Sequence, residues 1–161
     1  MTMFFTLAQQ CAPAIAFDLI AALSAVESGI DPLAVIDGPK RELVATVGHA
    51  VAAAVGVTDQ GREVGLGLTG ISAGKLARLG VPLSEAFESC RSLGAAQVVI
   101  DETFRAAEKR GLTGAGADRY VIRSWWRPDS RFAIAEAYAD AVARERTRSN
   151  DHPGPPSWPK T

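Results

Sequence analysis

The sequence predicts a mainly α-helical domain with one short extended segment or β hairpin around residues 62–72. Apolar residues recur at three- and four-residue spacing over most of the chain, which is typical of amphipathic helices. The exception is the glycine-rich stretch at residues 62–72, because glycine weakens a helix and permits close approach of backbone segments. At 161 residues, the chain has the length of one compact domain with its own core.

The first predicted helix spans residues 14–28, with Pro13 before it and Gly29 as its candidate C-cap. Glu27 therefore lies in the last helical turn. A second helix is predicted for residues 41–55, after a turn in the segment DGPK. Its apolar stripe, which we expect to face the core, consists of Leu43, Val44, Val47, Val51 and Val55.

After the glycine-rich stretch, a short helix ends at Gly80 and a long helix is predicted for residues 92–110, with its charged residues on a solvated face. Two further helices are predicted, at residues 115–126 and 130–146. The last residues, 148–161, contain four prolines and predict a disordered tail. The tail is interpreted either as a docking segment for another protein or as a passive end.

The composition argues against several classes of partner and site. With 17 basic and 18 acidic residues, the chain has no charge excess that favours nucleic acid, and no apolar run approaches the roughly 20 residues of a membrane span. Neither histidine, His49 or His152, has a ligand at metal-binding spacing, so we expect no metal and no cofactor. Cys11 and Cys90 form either a long-range disulfide or two buried thiols.

Glu27 is the candidate catalytic residue. It follows an apolar run and lies near the negative end of a helix dipole, and both surroundings disfavour the carboxylate and raise its expected pKa. A carboxyl group that keeps its proton can act as a general acid. The alternative from position alone is an ordinary surface glutamate.

Four segments carry a family resemblance, at residues 9–35, 63–81, 83–100 and 124–142. In their order and spacing they resemble the VirB-type lytic transglycosylases of type IV secretion systems, which cleave peptidoglycan and have a goose-lysozyme-like fold. The resemblance covers roughly residues 9–143, and Cys11 and Cys90 fall where the family has a cysteine pair. It implies a lysozyme-like domain at residues 9–147, a Cys11–Cys90 disulfide and a periplasmic location. Residues 1–8 are then interpreted as a signal-peptide remnant.

The family's catalytic glutamate stands in an E-S-G-x-x-P pattern, which this chain matches with Glu27, Ser28, Gly29 and Pro32. The resemblance implies that Glu27 protonates the bond between N-acetylmuramic acid and N-acetylglucosamine. The same group then takes a proton from the 6-hydroxyl of the muramic acid, which closes a 1,6-anhydro ring. Two-carboxylate hydrolases work differently, and the sequence offers no obvious second carboxylate in an apolar setting.

Two groove motifs differ from the family. Where the family has G-L-M-Q-I-N, this chain has GLTGIS at residues 67–72, so Ser28, Leu68, Thr69, Gly70 and Ile71 are expected to line the sugar groove without the glutamine side chain. Where the family has Y-N-T-G-N, this chain has WWRPD at residues 125–129. Trp125 and Trp126 are interpreted either as stacking platforms for sugars or as core residues. We expect Trp125 to be exposed and to face Glu27, with Trp126 pointing elsewhere.

The resemblance leads to two hypotheses on function. The first is a lytic transglycosylase that opens peptidoglycan glycan strands for a type IV secretion system, with other secretion components as partners of the tail. The second is a glycan-binding or assembly protein of the same apparatus that has lost efficient catalysis. An unrelated helical interaction module is a third alternative.

Overall fold

The computed structural model describes residues 2–125 and 132–151, and the predicted fold class is confirmed. Seven α-helices and four short strands lie in this part of the chain. The helices are α1 (Thr2–Cys11), α2 (Phe17–Glu27), α3 (Val47–Thr58), α4 (Ala73–Arg78), α5 (Ser89–Lys109), α6 (Gly114–Trp125) and α7 (Phe132–Asp151). The strands are β1 (Val35–Asp37), β2 (Lys40–Glu42), β3 (Gly65–Leu66) and β4 (Ile71–Ser72), and a 3₁₀ helix covers Leu83–Phe87.

Helices α2 and α5 form the centre of the core. Helix α2 is apolar around most of its circumference, and Leu19, Ile20 and Leu23 are fully buried. Such a helix needs partners on several sides, and α7 and α1 supply two of them. Helix α5 buries one face, which includes Leu93 and Ile100, and contacts α1 and α6. The end of α2 is therefore a rigid place for a functional side chain.

The four strands form an antiparallel sheet in the order β2-β1-β3-β4. The hairpin predicted around residues 62–72 consists of β3 and β4, with Leu66 opposite Ile71. Its turn requires glycine, because Gly67 has a φ of +67° and an added Cβ would lie 2.0 Å from the Ala86 carbonyl oxygen. The turn is thus packed tightly against the 3₁₀ helix.

The predicted start of the second helix is wrong. Residues 40–42 form strand β2, and the helix begins at Val47, where the Thr46 hydroxyl accepts a hydrogen bond from the His49 N–H. Leu43 does not face the core, since 81% of it is exposed. The side chain of Thr46 satisfies an orphan helix donor, and pairing with β1 satisfies the backbone of residues 40–42.

The remaining helices are found with their ends shifted by a few residues, and α7 continues to Asp151. Helix α1 was not predicted; its Phe4 and Ala8 are buried, and a disulfide joins Cys11 to Cys90 at the start of α5, with a Cα–Cα distance of 5.2 Å. The interpretation of residues 1–8 as a signal-peptide remnant stays a prediction. Trp126 and the tail from residue 152 onward lie outside the described residues.

The described residues contain neither a candidate membrane span nor a candidate metal site. None of the helices there is long and apolar enough to cross a membrane. In the same residues, no group of three histidine, cysteine or acidic side chains is arranged to hold a metal ion.

Candidate active site at the end of helix α2

Glu27 is the last residue of α2 and is partly buried. Directly after it the chain reverses through two left-handed residues, Gly29 with φ +66° and Ile30 with φ +62°. A β-branched residue in this region costs about 1–3 kcal/mol and persists only where the surroundings fix it. The Ile30 N–H donates to the Ser24 carbonyl at 3.2 Å, which holds the reversal against α2. The backbone next to Glu27 is therefore strained and well determined.

Ser28 ties this reversal to the β3–β4 turn. Its side chain is buried, and its hydroxyl lies 2.6 Å from the Leu68 carbonyl oxygen, to which it donates. The same hydroxyl lies 3.0 Å from the Ser24 carbonyl and accepts a hydrogen bond from the Asp31 N–H at 3.2 Å. A buried hydroxyl with all of these partners fixes two segments that are 40 residues apart in the chain.

Gly70, in the same turn, lies directly against Glu27. An added Cβ at Gly70 would be 2.6 Å from Oε2 and 2.8 Å from Cβ of Glu27, and the φ of Gly70 is +61°. No other residue fits this position without moving the glutamate, because real Cβ atoms essentially never approach so closely. The glycine that stands where the family has glutamine therefore gives Glu27 its space.

Trp125 supports this turn from behind. Its indole Nε1–H donates to the Thr69 carbonyl oxygen at 2.9 Å, and the Lys75 ammonium lies 5.5 Å from the centre of the ring. Only 4% of Trp125 is exposed, so the expectation of an exposed stacking face is wrong and the core interpretation holds. The indole can be buried because its N–H, which needs a partner away from water, finds one in the Thr69 carbonyl of the turn.

Most of the predicted site residues lie together in or next to the β3–β4 turn, but most of their side chains do not line a pocket. The side chains of Leu68, Thr69 and Ile71 are buried, so they contribute to the core beneath the turn. Among the predicted residues in the described part of the chain, Glu27 is the one that lines the pocket described next.

A pocket of about 350 Å³ opens beside Glu27, between the end of α2, the β1–β2 hairpin and α7. The described residues that line it are Val26, Glu27, Ile36, Gly38, Pro39, Arg41 and Tyr138. Glu27 is the one carboxylate among them. An apolar pocket with a few convergent polar groups is the usual form of a small-ligand site.

Sequence reasoning missed Arg41 and Tyr138. Arg41 was assigned to a helix, whereas strand β2 carries it to the pocket. Tyr138 is buried in α7 and comes from 111 residues after Glu27 in the sequence, as the two residue numbers show. The only signal was a single large polar aromatic residue in the alanine-rich stretch AIAEAYADA.

Comparison with known proteins identifies relatives. The chain is 30% identical over 109 residues to the type IV secretion system protein VirB1 of Brucella suis. It is 31% identical over 107 residues to protein VirB1 of Agrobacterium tumefaciens and to that of Rhizobium radiobacter. No protein-family model and no solved structure matches the chain. The resemblance to VirB-type proteins is thus confirmed.

The similarity is partial on both sides. The matched region covers 66% of this chain and 46% of the Brucella protein. The chain therefore spans about half the length of the curated relatives it matches.

Proposed function

We propose that the chain is a peptidoglycan lytic transglycosylase that opens the cell wall for a type IV secretion system. The observation that carries this proposal is Glu27, a partly buried carboxyl group at the wall of a pocket in a chain similar to VirB1 proteins. The strained reversal after Glu27 supports it, because such strain clusters at functional sites.

The proposed reaction uses one carboxyl group twice. Glu27, in its protonated form, donates its proton to the glycosidic oxygen between N-acetylmuramic acid and N-acetylglucosamine, and the bond to C1 of the muramic acid breaks. The 6-hydroxyl of the same sugar then attacks C1, and its proton passes to the Glu27 carboxylate. The products are an N-acetylglucosamine with a free 4-hydroxyl and an N-acetylmuramic acid with a 1,6-anhydro ring. No water is consumed, and Glu27 returns to its protonated form.

The described lining of the pocket is consistent with a mechanism that uses a single carboxyl group. Hydrolases that use a second carboxylate need it on the opposite face of the sugar, and the described lining contains Glu27 alone as an acid. Ile36 and Tyr138 supply apolar surface on two other sides. The contact between Glu27 and Gly70 limits the movement of the carboxyl group.

A second candidate function is glycan binding without efficient catalysis, in the assembly of the same apparatus. It is favoured by Gly70, which offers no side chain where the family has glutamine. The two candidates make opposite predictions for the same experiment.

That experiment incubates purified sacculi with the protein and measures 1,6-anhydro-muropeptides by mass spectrometry. The proposal expects anhydro products from the native chain and none from Glu27→Gln, since the amide is far too weak an acid to protonate the glycosidic oxygen. Glu42→Gln is the matched control: it changes an acid on the nearby β2 that does not line the pocket. Retention on sacculi without any product would support the binding candidate instead. Equal product from the native chain and Glu27→Gln would contradict the role of Glu27.

We place this activity in the periplasm. The Cys11–Cys90 disulfide supports that location, because disulfides persist in oxidising compartments. The proposed partners are the glycan strands and other secretion components. Docking of such components to the tail stays a prediction.

A further inference from the structure

Arg41 brings a positive charge to the pocket of Glu27. Among the described residues that line this pocket, it is the one cationic side chain. It lies on β2, in the β1–β2 hairpin that lines one part of this pocket. A pocket that holds an acid and a separate arginine can contact two different groups of one ligand.

The position of the Arg41 guanidinium group is fixed by its contact with Gly29. Its Nη1 lies 2.6 Å from the position that a Cβ at Gly29 would occupy, so the absence of a side chain at Gly29 makes room for it. This places the charge over the carboxyl end of α2, where the helix dipole favours a cation. Arg41 is thus held against the second residue after the catalytic candidate, although it remains exposed to solvent.

Arg41 forms no ion pair with any side chain in the described part of the chain. In the same hairpin, Asp37 does have an ion-pair partner, Arg62. The Arg41 guanidinium lines the pocket with no carboxylate of the described residues bound to it. A planar guanidinium binds carboxylates through two parallel hydrogen bonds.

We propose that Arg41 binds a carboxylate carried by the muramic acid part of the substrate, and so selects cell-wall glycan over neutral chitin-like glycan. This inference rests on the function proposed above. The carboxylate has two possible sources. In strands without peptide it is the lactyl group of the muramic acid, and in strands with peptide it belongs to the peptide.

The test measures binding in the full chain with Glu27→Gln as background, so that no ligand is cleaved. Three ligands are compared by calorimetry: chitooligosaccharide, which has no carboxylate, peptide-free glycan strands, and peptide-bearing muropeptides. Adding Arg41→Gln should weaken binding of at least one carboxylate ligand about tenfold and leave chitooligosaccharide unchanged. Arg41→Lys should recover part of the loss, because it keeps the charge but not the planar pair of donors.

Lys40→Gln is the matched control, since Lys40 is an exposed cation next to Arg41 that does not line the pocket. It should leave all three affinities unchanged. A loss confined to peptide-free strands assigns the contact to the lactyl group, and a loss confined to muropeptides assigns it to the peptide. Unchanged affinities, an equal loss for chitooligosaccharide, or an equal effect of Lys40→Gln would overturn the role of Arg41. If the Glu27→Gln background binds none of the three ligands, the proposed function itself fails.

Discussion

The two sides of the Glu27 pocket are held by different forces. On one side, buried hydrogen bonds between uncharged groups hold the β3–β4 turn: one from Ser28 to Leu68 joins it to the end of α2, and one from Trp125 to Thr69 joins it to α6. On the other side, α7 carries Tyr138 to the pocket; it packs on α2 through buried residues such as Val142, and exposed or partly exposed ion pairs also attach it.

These ion pairs form two groups. Arg119 of α6 pairs with Glu136 and Asp140 of α7, and Arg123 also pairs with Glu136. Near the other end of α7, Arg146 pairs with Asp18 of α2 and with Asp118 of α6, at 2.9 and 2.8 Å. Exposed pairs weaken with salt and with protonation of the acids, whereas buried neutral hydrogen bonds do not. The β3–β4 turn next to Glu27 should therefore keep its geometry at high salt or low pH, where the ion pairs of α7 weaken.

The largest expected effect comes from Gly70→Ala, which changes the β3–β4 turn on the side held by uncharged hydrogen bonds. The new Cβ would displace the Glu27 carboxyl group and hold alanine in a left-handed conformation. We expect a loss of about 2 kcal/mol in the free energy of unfolding, and a reduction of anhydro-product formation on the order of tenfold to a hundredfold. Urea unfolding and the sacculus assay measure the two effects.

Gly80→Ala is the control, because Gly80 has a similar φ of +69° but nothing within 4 Å of an added Cβ. It should cost about 1 kcal/mol from backbone strain and leave activity unchanged. Equal losses of activity in both variants would show that the contact with Glu27 has no special role.

A smaller effect is expected from Ser28→Ala, which removes the bridge between α2 and the turn. The Leu68 carbonyl and the Asp31 N–H would lose their partner, and we expect destabilisation by about 1–2 kcal/mol. Ser124→Ala also removes a hydroxyl that donates to a helical carbonyl, that of Tyr120, but on an exposed surface, and should change stability by less than about 0.5 kcal/mol. Indistinguishable unfolding midpoints for the two variants would refute this difference between the regions.

The smallest effect concerns the charged side and depends on pH. The hydrogen bonds from Arg119 and then Arg123 lower the pKa of Glu136 below its ordinary value of 4.5. This carboxylate therefore adds stability above that value, and the contribution is lost as the pH falls through the lowered pKa. Glu136→Gln should flatten the dependence of stability on pH in the acid range. Urea unfolding between pH 3 and 7 measures it, with the exposed Glu108→Gln as control; parallel curves for Glu136→Gln and the native chain would contradict the prediction.

The sequence predicted the helices other than α1, and the position of Glu27, because both depend on local patterns. Apolar spacing located α2, α5 and α6, and the E-S-G-x-x-P match located the glutamate within its helix. Strands β1 and β2 were missed because three residues are too few to show an alternation, and the segment KRE has no apolar residue. Leu43 then completed a false helical stripe.

Depth and long-range neighbours were the other limits. The position of Trp125 in a helix was predicted to within one residue of its end, but its burial depends on the Thr69 carbonyl, which lies 56 residues away in the sequence. Arg41 and Tyr138 meet at the pocket only after the hairpin and α7 have packed on α2. No local pattern contains that information.

The disulfide has a mechanical consequence. It closes a loop between residues 11 and 90, which are 79 positions apart in the chain, and Glu27, Ser28, Arg41 and Gly70 all lie within that loop. Force applied to the two ends of the chain passes through the bridge and bypasses the loop. Helices α6 and α7 lie outside the loop and carry the applied force. Tension should therefore pull Tyr138 away from the pocket before it disturbs the residues around Glu27.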